Sequence, residues 1–185
     1  WSSAGGAAAR PFITYHNDRK SEMYLKISPE LFLKELVVGG MDRVYEIGPQ
    51  FRNESIDVRH NPEFWSMEFY MAYADYHDLM KICEDMLFTL ADNLGKSQMN
   101  YQPNPDETFE ICWIPPYRKI DLINELEKIL QIKIPYSDTE ETRVALSNIC
   151  AGLGVACNDP RTSARLIDKL VGQYIEPTCI NPTFI

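Results

Sequence analysis

The chain lacks paired cysteines, long apolar runs and any excess of positive charge, and each absence removes a class of function. Its five cysteines, Cys83, Cys112, Cys150, Cys157 and Cys179, form no CxxC and no metal-ligand spacing. An odd, scattered set points to reduced thiols in a cytosolic setting, most of them buried as small apolar residues. No apolar stretch approaches the ~20 residues needed to cross a bilayer. Asp and Glu outnumber Lys and Arg by 27 to 18, for a net charge of −9. That balance argues against a free-standing basic nucleic-acid binder, although a local basic loop can still serve. The start, WSSAGGAAAR, has neither Met nor the layout of a signal peptide. No internal repeat or low-complexity tract is visible. At 185 residues the chain is long enough for one domain with a real core.

What is present concentrates in residues 43–73, RVYEIGPQFRNESIDVRHNPEFWSMEFYMAY. Two strand-like runs flank a polar loop of about ten residues, long for a hairpin and therefore a place for function. Side chains alternate across a strand with period two. Tyr45, Ile47 and Phe51 share one face of the first run, and Glu46, Gly48, Gln50, Arg52 and Glu54 the other. In the second run Trp65, Met67, Phe69, Met71 and Tyr73 oppose Phe64, Ser66, Glu68, Tyr70 and Ala72. An antiparallel pair is expected to bury the apolar faces. An arginine, several carboxylates, a Phe and a Tyr then point one way, as the floor of a binding site.

Around this hairpin the pattern predicts short strands over 12–15 and 22–27 and a helix over 28–38, with Pro29 in its first turn and Gly39-Gly40 at its end. An amphipathic helix follows over 75–95. A Pro- and Asn-bearing link at 102–105 precedes a strand over 109–114, which Pro115-Pro116 breaks. Helices are expected over 120–130, from a Ser137-x-x-Glu140 capping box to about 151, and over 161–174 with Asp159 as cap and Pro160 at the first helical position. The segment 179–185 returns as a strand.

FRNE, RHNPEF and MEFYMAYAD together closely resemble motif 2 of the class II aminoacyl-tRNA synthetases, in the form seen in lysyl-tRNA synthetases. AGGAAARPFITYHND, YLKISPELFLKELVVGGMDRVYEIG, TSARLIDKLVG and CINPTFI extend the resemblance to nearly the whole chain, in the eukaryotic type. It implies an α+β fold, a mainly antiparallel sheet flanked by helices. It also implies a cytoplasmic lysine–tRNA ligase that uses ATP to form lysyl-adenylate and then charges tRNA(Lys), working as a homodimer away from membranes.

The resemblance assigns roles residue by residue. Arg52 matches the catalytic motif 2 arginine, an always-charged planar fork suited to two anions that must meet. Arg52, Glu54, His60, Asn61 and Phe64 are the implied ATP residues, with Phe64 packing against adenine. Arg59 sits at a more variable place in the same loop. Gly6, Ala7, Glu30, Arg52, Glu54, Glu68 and Tyr70 are the implied lysine residues. Glu30 would take the α-amino group, and Glu68 and Tyr70 would lie near the ε-ammonium. From the residues alone, Glu30 reads first as an acid at a helix N-terminus and Tyr70 first as a core aromatic.

The chain also departs from the family. Most of motif 1 and all of motif 3 are missing, as are the anticodon-binding barrel and the acids that hold Mg²⁺ on ATP. The resemblance therefore implies the central part of a catalytic domain, with a helical insertion over about 137–174 and little or no activity alone. Trp65 stands where the family has a small Thr: in a packed core its volume would cost roughly 1–3 kcal/mol unless its neighbours are smaller, and the alternative reading is that it covers surface left exposed in a partial chain. Rival readings are a paralogue that activates lysine for another acceptor, and a piece that binds ligand without turnover.

Overall fold

The computed structural model describes residues 5–57 and 60–185. Ala4 and Arg59, both within the quoted motifs, lie outside the described residues. In chain order the elements are β1 (Ile13–His16), β2 (Ser21–Tyr24), α1 (Glu30–Val38), β3 (Arg43–Phe51), β4 (Glu63–Met71), α2 (Tyr76–Asn93), β5 (Gln98–Asn104), β6 (Glu107–Cys112), β7 (Arg118–Lys119), α3 (Leu122–Leu130), α4 (Glu140–Gly152), α5 (Ser163–Tyr174) and β8 (Thr183–Phe184). The fold is α+β. Among the described residues the strands form four two-stranded pairs, three antiparallel and one, β7 with β8, parallel. The chain divides into two compact units, one ending at Asp75 and the other spanning Tyr76–Ile185.

In the first unit, β3 and β4 pair from Arg43↔Met71 to Phe51↔Glu63, with Glu46 opposite Glu68 and Gln50 opposite Phe64. The pairing runs on past β3, because Arg52 N–H donates to Pro62 O at 2.8 Å. The strand expected over 22–27 stops at Tyr24. Beyond it Leu25 N–H still donates to Phe12 O at 3.0 Å, and Lys26 O accepts from Phe51 N–H at 2.7 Å. Residues 25–27 thus leave the β1–β2 hairpin and attach to the end of β3, which delivers Ser28 and α1 to the hairpin.

The expectation that the apolar face of this hairpin is the buried one is overturned. Tyr45 and Trp65 are each 71% exposed, Ile47 is 57% and Met67 40%. On the opposite face Val44, Gly48 and Gln50 are buried. The cause is tertiary: Lys26 and Ser28 reach Glu46 and Glu68 on the chemically loaded side and cover it. Trp65 therefore costs no core volume, because it is not in a core.

The second unit is built on α3, α4 and α5, whose Leu126, Leu146, Leu166 and Leu170 are fully buried together with Ile175. The core thus includes α3 as well as the helices of 137–174. Two caps differ from expectation. Thr139, not Ser137, caps α4 by accepting Thr142 N–H at 3.2 Å, while Ser137 Oγ bonds Thr142 Oγ1 at 2.6 Å. Thr162, not Asp159, caps α5 by accepting Arg165 N–H at 3.3 Å, and Asp159-Pro160 is a cis peptide in the preceding loop. Of the link expected at 102–105, residues 102–104 are the end of β5, and only Pro105, with Asp106, makes the turn to β6; Gln102 donates to Pro105 O at 3.0 Å and Asp106 N–H donates to Asn104 Oδ1 at 3.2 Å. Of 179–185, only Thr183–Phe184 is strand.

Candidate active site

The described parts of the loop, 52–57 and 60–62, and the ends of β3 and β4 enclose a cleft of about 260 Å³ lined by Arg52, Glu54, Ser55, His60, Asn61, Pro62 and Phe64. All five residues assigned to ATP therefore meet in one place. Arg52 extends just past β3, where its Nε donates to Ile27 O at 3.3 Å. Its guanidinium carbon lies 5.1 Å from the centroid of the Phe64 ring, a cation–π arrangement. His60 is tied down by Asp57, with its backbone N–H on Oδ1 and its Nδ1 2.8 Å from both carboxylate oxygens. Asn61 Nδ2 donates to Glu63 O across the base of the loop. A flat aromatic, a fixed guanidinium and an imidazole in one cleft suit a base carrying phosphates.

Of the residues expected for lysine, Gly6, Ala7, Glu30, Glu68 and Tyr70 form a second group beside the first, while Arg52 and Glu54 belong to the cleft. Glu68 is bonded on both oxygens: Ser28 Oγ lies 3.0 Å from Oε1, and Tyr70 OH lies 3.0 Å from Oε2. Burial first, then the Glu68 carboxylate and the charge of Glu30, push the Tyr70 phenol up to about 12. Glu30, the first residue of α1, pairs with Lys34 one turn on at 2.7 Å. Lys34 Nζ also lies 5.5 Å from the Tyr70 ring centroid. The group thus already accommodates an ammonium between a carboxylate and an aromatic face. Gly6 sits over it with φ +86°, and a Cβ there would come within 3.0 Å of both Glu30 Cβ and Ser28 Oγ. Ala7 follows in the same bend. The two groups join at consecutive residues, since Ile27 O holds Arg52 and Ser28 Oγ holds Glu68.

The whole chain, residues 1–185, matches the tRNA synthetases class II (D, K and N). The chain belongs to this family. Among similar proteins, a probable cytoplasmic lysine–tRNA ligase of Enterocytozoon bieneusi is 48% identical over 192 residues, covering 100% of this chain and 37% of that protein. A lysine–tRNA ligase of Cladosporium cladosporioides is 46% identical over 98% of this chain and 31% of its own length. One from the bacterium Shewanella loihica is 42% identical over 100% of this chain and 37% of its own. The chain thus spans 37% or less of the length of these three relatives.

Several residues of this class II site escape a reading of strands alone. Ser28, expected only as part of a helix start, is buried and bonded to Glu68; the cap position of α1 is Pro29, which makes no side-chain cap bond. Lys26 pairs with Glu46 on the same face. Gln50 is 1% exposed, yet neither its amide nitrogen nor its oxygen has a partner, and Ser66 Oγ beside it is equally orphaned. Alternation had placed Gln50 and Ser66 on the loaded face; nothing in it distinguishes a buried orphan from a wet side chain. Among the described residues no group of three or more His, Cys, Asp or Glu is arranged for a metal ion. No helix among the described residues is long and apolar enough to cross a membrane.

Proposed function

We propose that the protein is a cytoplasmic lysine–tRNA ligase, activating L-lysine with ATP and passing it to tRNA(Lys), and that this chain is the central part of its catalytic domain, with 137–174 as a helical insertion. The observation that carries this reading is the convergence of Arg52, Phe64 and His60 on one cleft, joined through Ile27-Ser28 to the Glu30–Glu68–Tyr70 group. Family membership supports ATP as the co-substrate, and the lysine–tRNA ligase names of the relatives support lysine and its tRNA.

In this reading Glu30 receives the α-ammonium, and Glu68 with Tyr70 receives the ε-ammonium. Gly6 and Ala7 close over the amino acid. Phe64 stacks on adenine. Arg52 bridges the lysine carboxylate and the α-phosphate, so that two anions can approach. As the carboxylate oxygen attacks phosphorus and pyrophosphate leaves, charge gathers on the α-phosphate oxygens beside the guanidinium. No covalent bond to the protein is needed, so positioning supplies most of the rate. Glu54 and Asn61 line the nucleotide cleft, and His60, steadied by Asp57, faces the phosphates. The 3′ end of tRNA then takes lysine from the adenylate. The working protein is a homodimer whose Mg²⁺ ligands lie outside this chain, and the 185 residues alone have weak activity or none.

The test is lysine-dependent ATP–pyrophosphate exchange by the full-length protein, with Arg52→Ala as control. Exchange that needs lysine and falls by about 10²–10³ in the variant, the usual cost of losing one charge-stabilising donor, supports the reading. Exchange that is indifferent to lysine or to Arg52 overturns it.

A further inference from the structure

We propose that Ser28 is a positioning residue that fixes the Glu68 carboxylate for recognition of the substrate's side-chain ammonium. The inference rests on the lysine reading above and deepens it, giving a role in substrate recognition to a residue that reading used only as the link between the two groups. Ser28 is 5% exposed and lies 40 residues before Glu68 in the chain. Its Oγ has two close polar neighbours, Glu68 Oε1 at 3.0 Å and the Glu30 backbone N–H at 3.1 Å. A serine hydroxyl carries a single hydrogen. The Glu30 N–H can only donate, so Oγ accepts there, and its own hydrogen goes to Glu68. The direction of both bonds is set by chemistry.

The consequence for Glu68 follows from its second oxygen. Tyr70 OH donates to Oε2 at 3.0 Å, and its raised pKa keeps that hydrogen in place across the neutral range. One hydroxyl on each oxygen fixes the plane of the carboxylate and leaves its remaining lone pairs for a cation. Hydrogen bonds to a charged acceptor are among the stronger ones. Ser28 also ties the two acids together, since the same oxygen orients Glu68 and accepts the N–H of Glu30 at the start of α1. Alanine at position 28 keeps the Cβ under Gly6 and removes only that atom.

The test compares L-lysine with L-norleucine, which has the same chain length and no ε-ammonium. Binding of each to the full-length protein is measured by calorimetry for wild type, Ser28→Ala and Ser28→Cys, and pyrophosphate exchange gives the KM for lysine and for ATP. Cysteine keeps nearly the same shape with a much weaker donor, and serves if alanine disturbs folding. The expected result is a lysine Kd and KM raised about tenfold in both variants, the order expected for a lost bond to a charged group. Norleucine affinity and the KM for ATP stay within about twofold, the scatter normal for such comparisons. Equal weakening of lysine and norleucine means that Ser28 only supports the backbone, and overturns the inference. So does an unchanged lysine affinity. If wild type itself does not prefer lysine to norleucine, the lysine reading fails, and the inference fails with it. If Glu68→Gln abolishes that preference while both Ser28 variants retain it, the inference alone fails.

Discussion

The Arg52 guanidinium stands over the ring of Phe64, with its central carbon 5.1 Å from the centroid. Two residues assigned to one nucleotide are thus already in contact with each other. In the proposed reading Phe64 both offers a face to adenine and helps hold the arginine. Phe64→Ala is expected to raise the KM for ATP about tenfold or more, because it removes a stacking surface and a cation–π partner together. Phe64→Tyr keeps the ring and should stay near wild type. Steady-state exchange kinetics at varied ATP decide it. A change confined to the KM for lysine would contradict the assignment.

Tyr70 gives a prediction about pH. Burial, and then Glu68, raise its phenol from about 10 to about 12. The fold favours the protonated phenol, so its stabilising effect is complete below the ordinary tyrosine value and is lost as pH rises through about 12. The difference between alkaline absorbance titrations of wild type and Tyr70→Phe should show a tyrosinate transition near the upper value. A difference transition at the ordinary value would remove the Tyr70–Glu68 bond from the account.

Much of the site could be read from the sequence because alternation along a strand is a local property. Arg52, Gln50, Gly48 and Glu46 must share a face whatever else the chain does. Which face is covered is not local. It depends on Lys26 and Ser28, which come from a different stretch, and the apolar side of β3–β4 proved to be the exposed one. The helices of the second unit were legible from their apolar spacing, whereas their caps were not. Ser137 and Thr139 lie within one turn of each other, as do Asp159 and Thr162, and spacing alone does not decide which oxygen meets the free N–H groups. β5 was missed because Pro103 and its polar neighbours weaken the strand pattern, although a two-stranded pair tolerates them at an edge.

The caps can be tested directly. Thr162→Ala and Thr139→Ala should each cost about 1 kcal/mol, as loss of an N-cap oxygen does. Asp159→Ala should cost no more than about 0.5 kcal/mol, because its side chain is 91% exposed and does not cap α5. Urea unfolding followed by circular dichroism measures all three. The opposite order would restore Asp159 as the cap.

Gln50 offers the sharpest stability test. Its amide is buried with no partner on either atom. Gln50→Met has nearly the same shape and removes both orphans, so unfolding free energy should rise by about 1–3 kcal/mol, the usual penalty of a buried unpaired polar group. A fall in the urea midpoint would instead mean that the amide is satisfied by ordered water or another group, and that the position serves something other than packing.

Gly6 carries a consequence for evolvability. Its φ of +86° strains any L side chain, and a would-be Cβ would stand 3.0 Å from both Glu30 Cβ and Ser28 Oγ, which would have to give. The headroom above Ser28 and Glu30 is therefore set by a methyl group that is not there. Enlarging residue 6 while Ser28 and Glu30 keep these positions is therefore strained in the backbone and tight in contact. In the proposed reading, room for a different amino acid is then to be made at the other end of the pocket, around Glu68 and Tyr70.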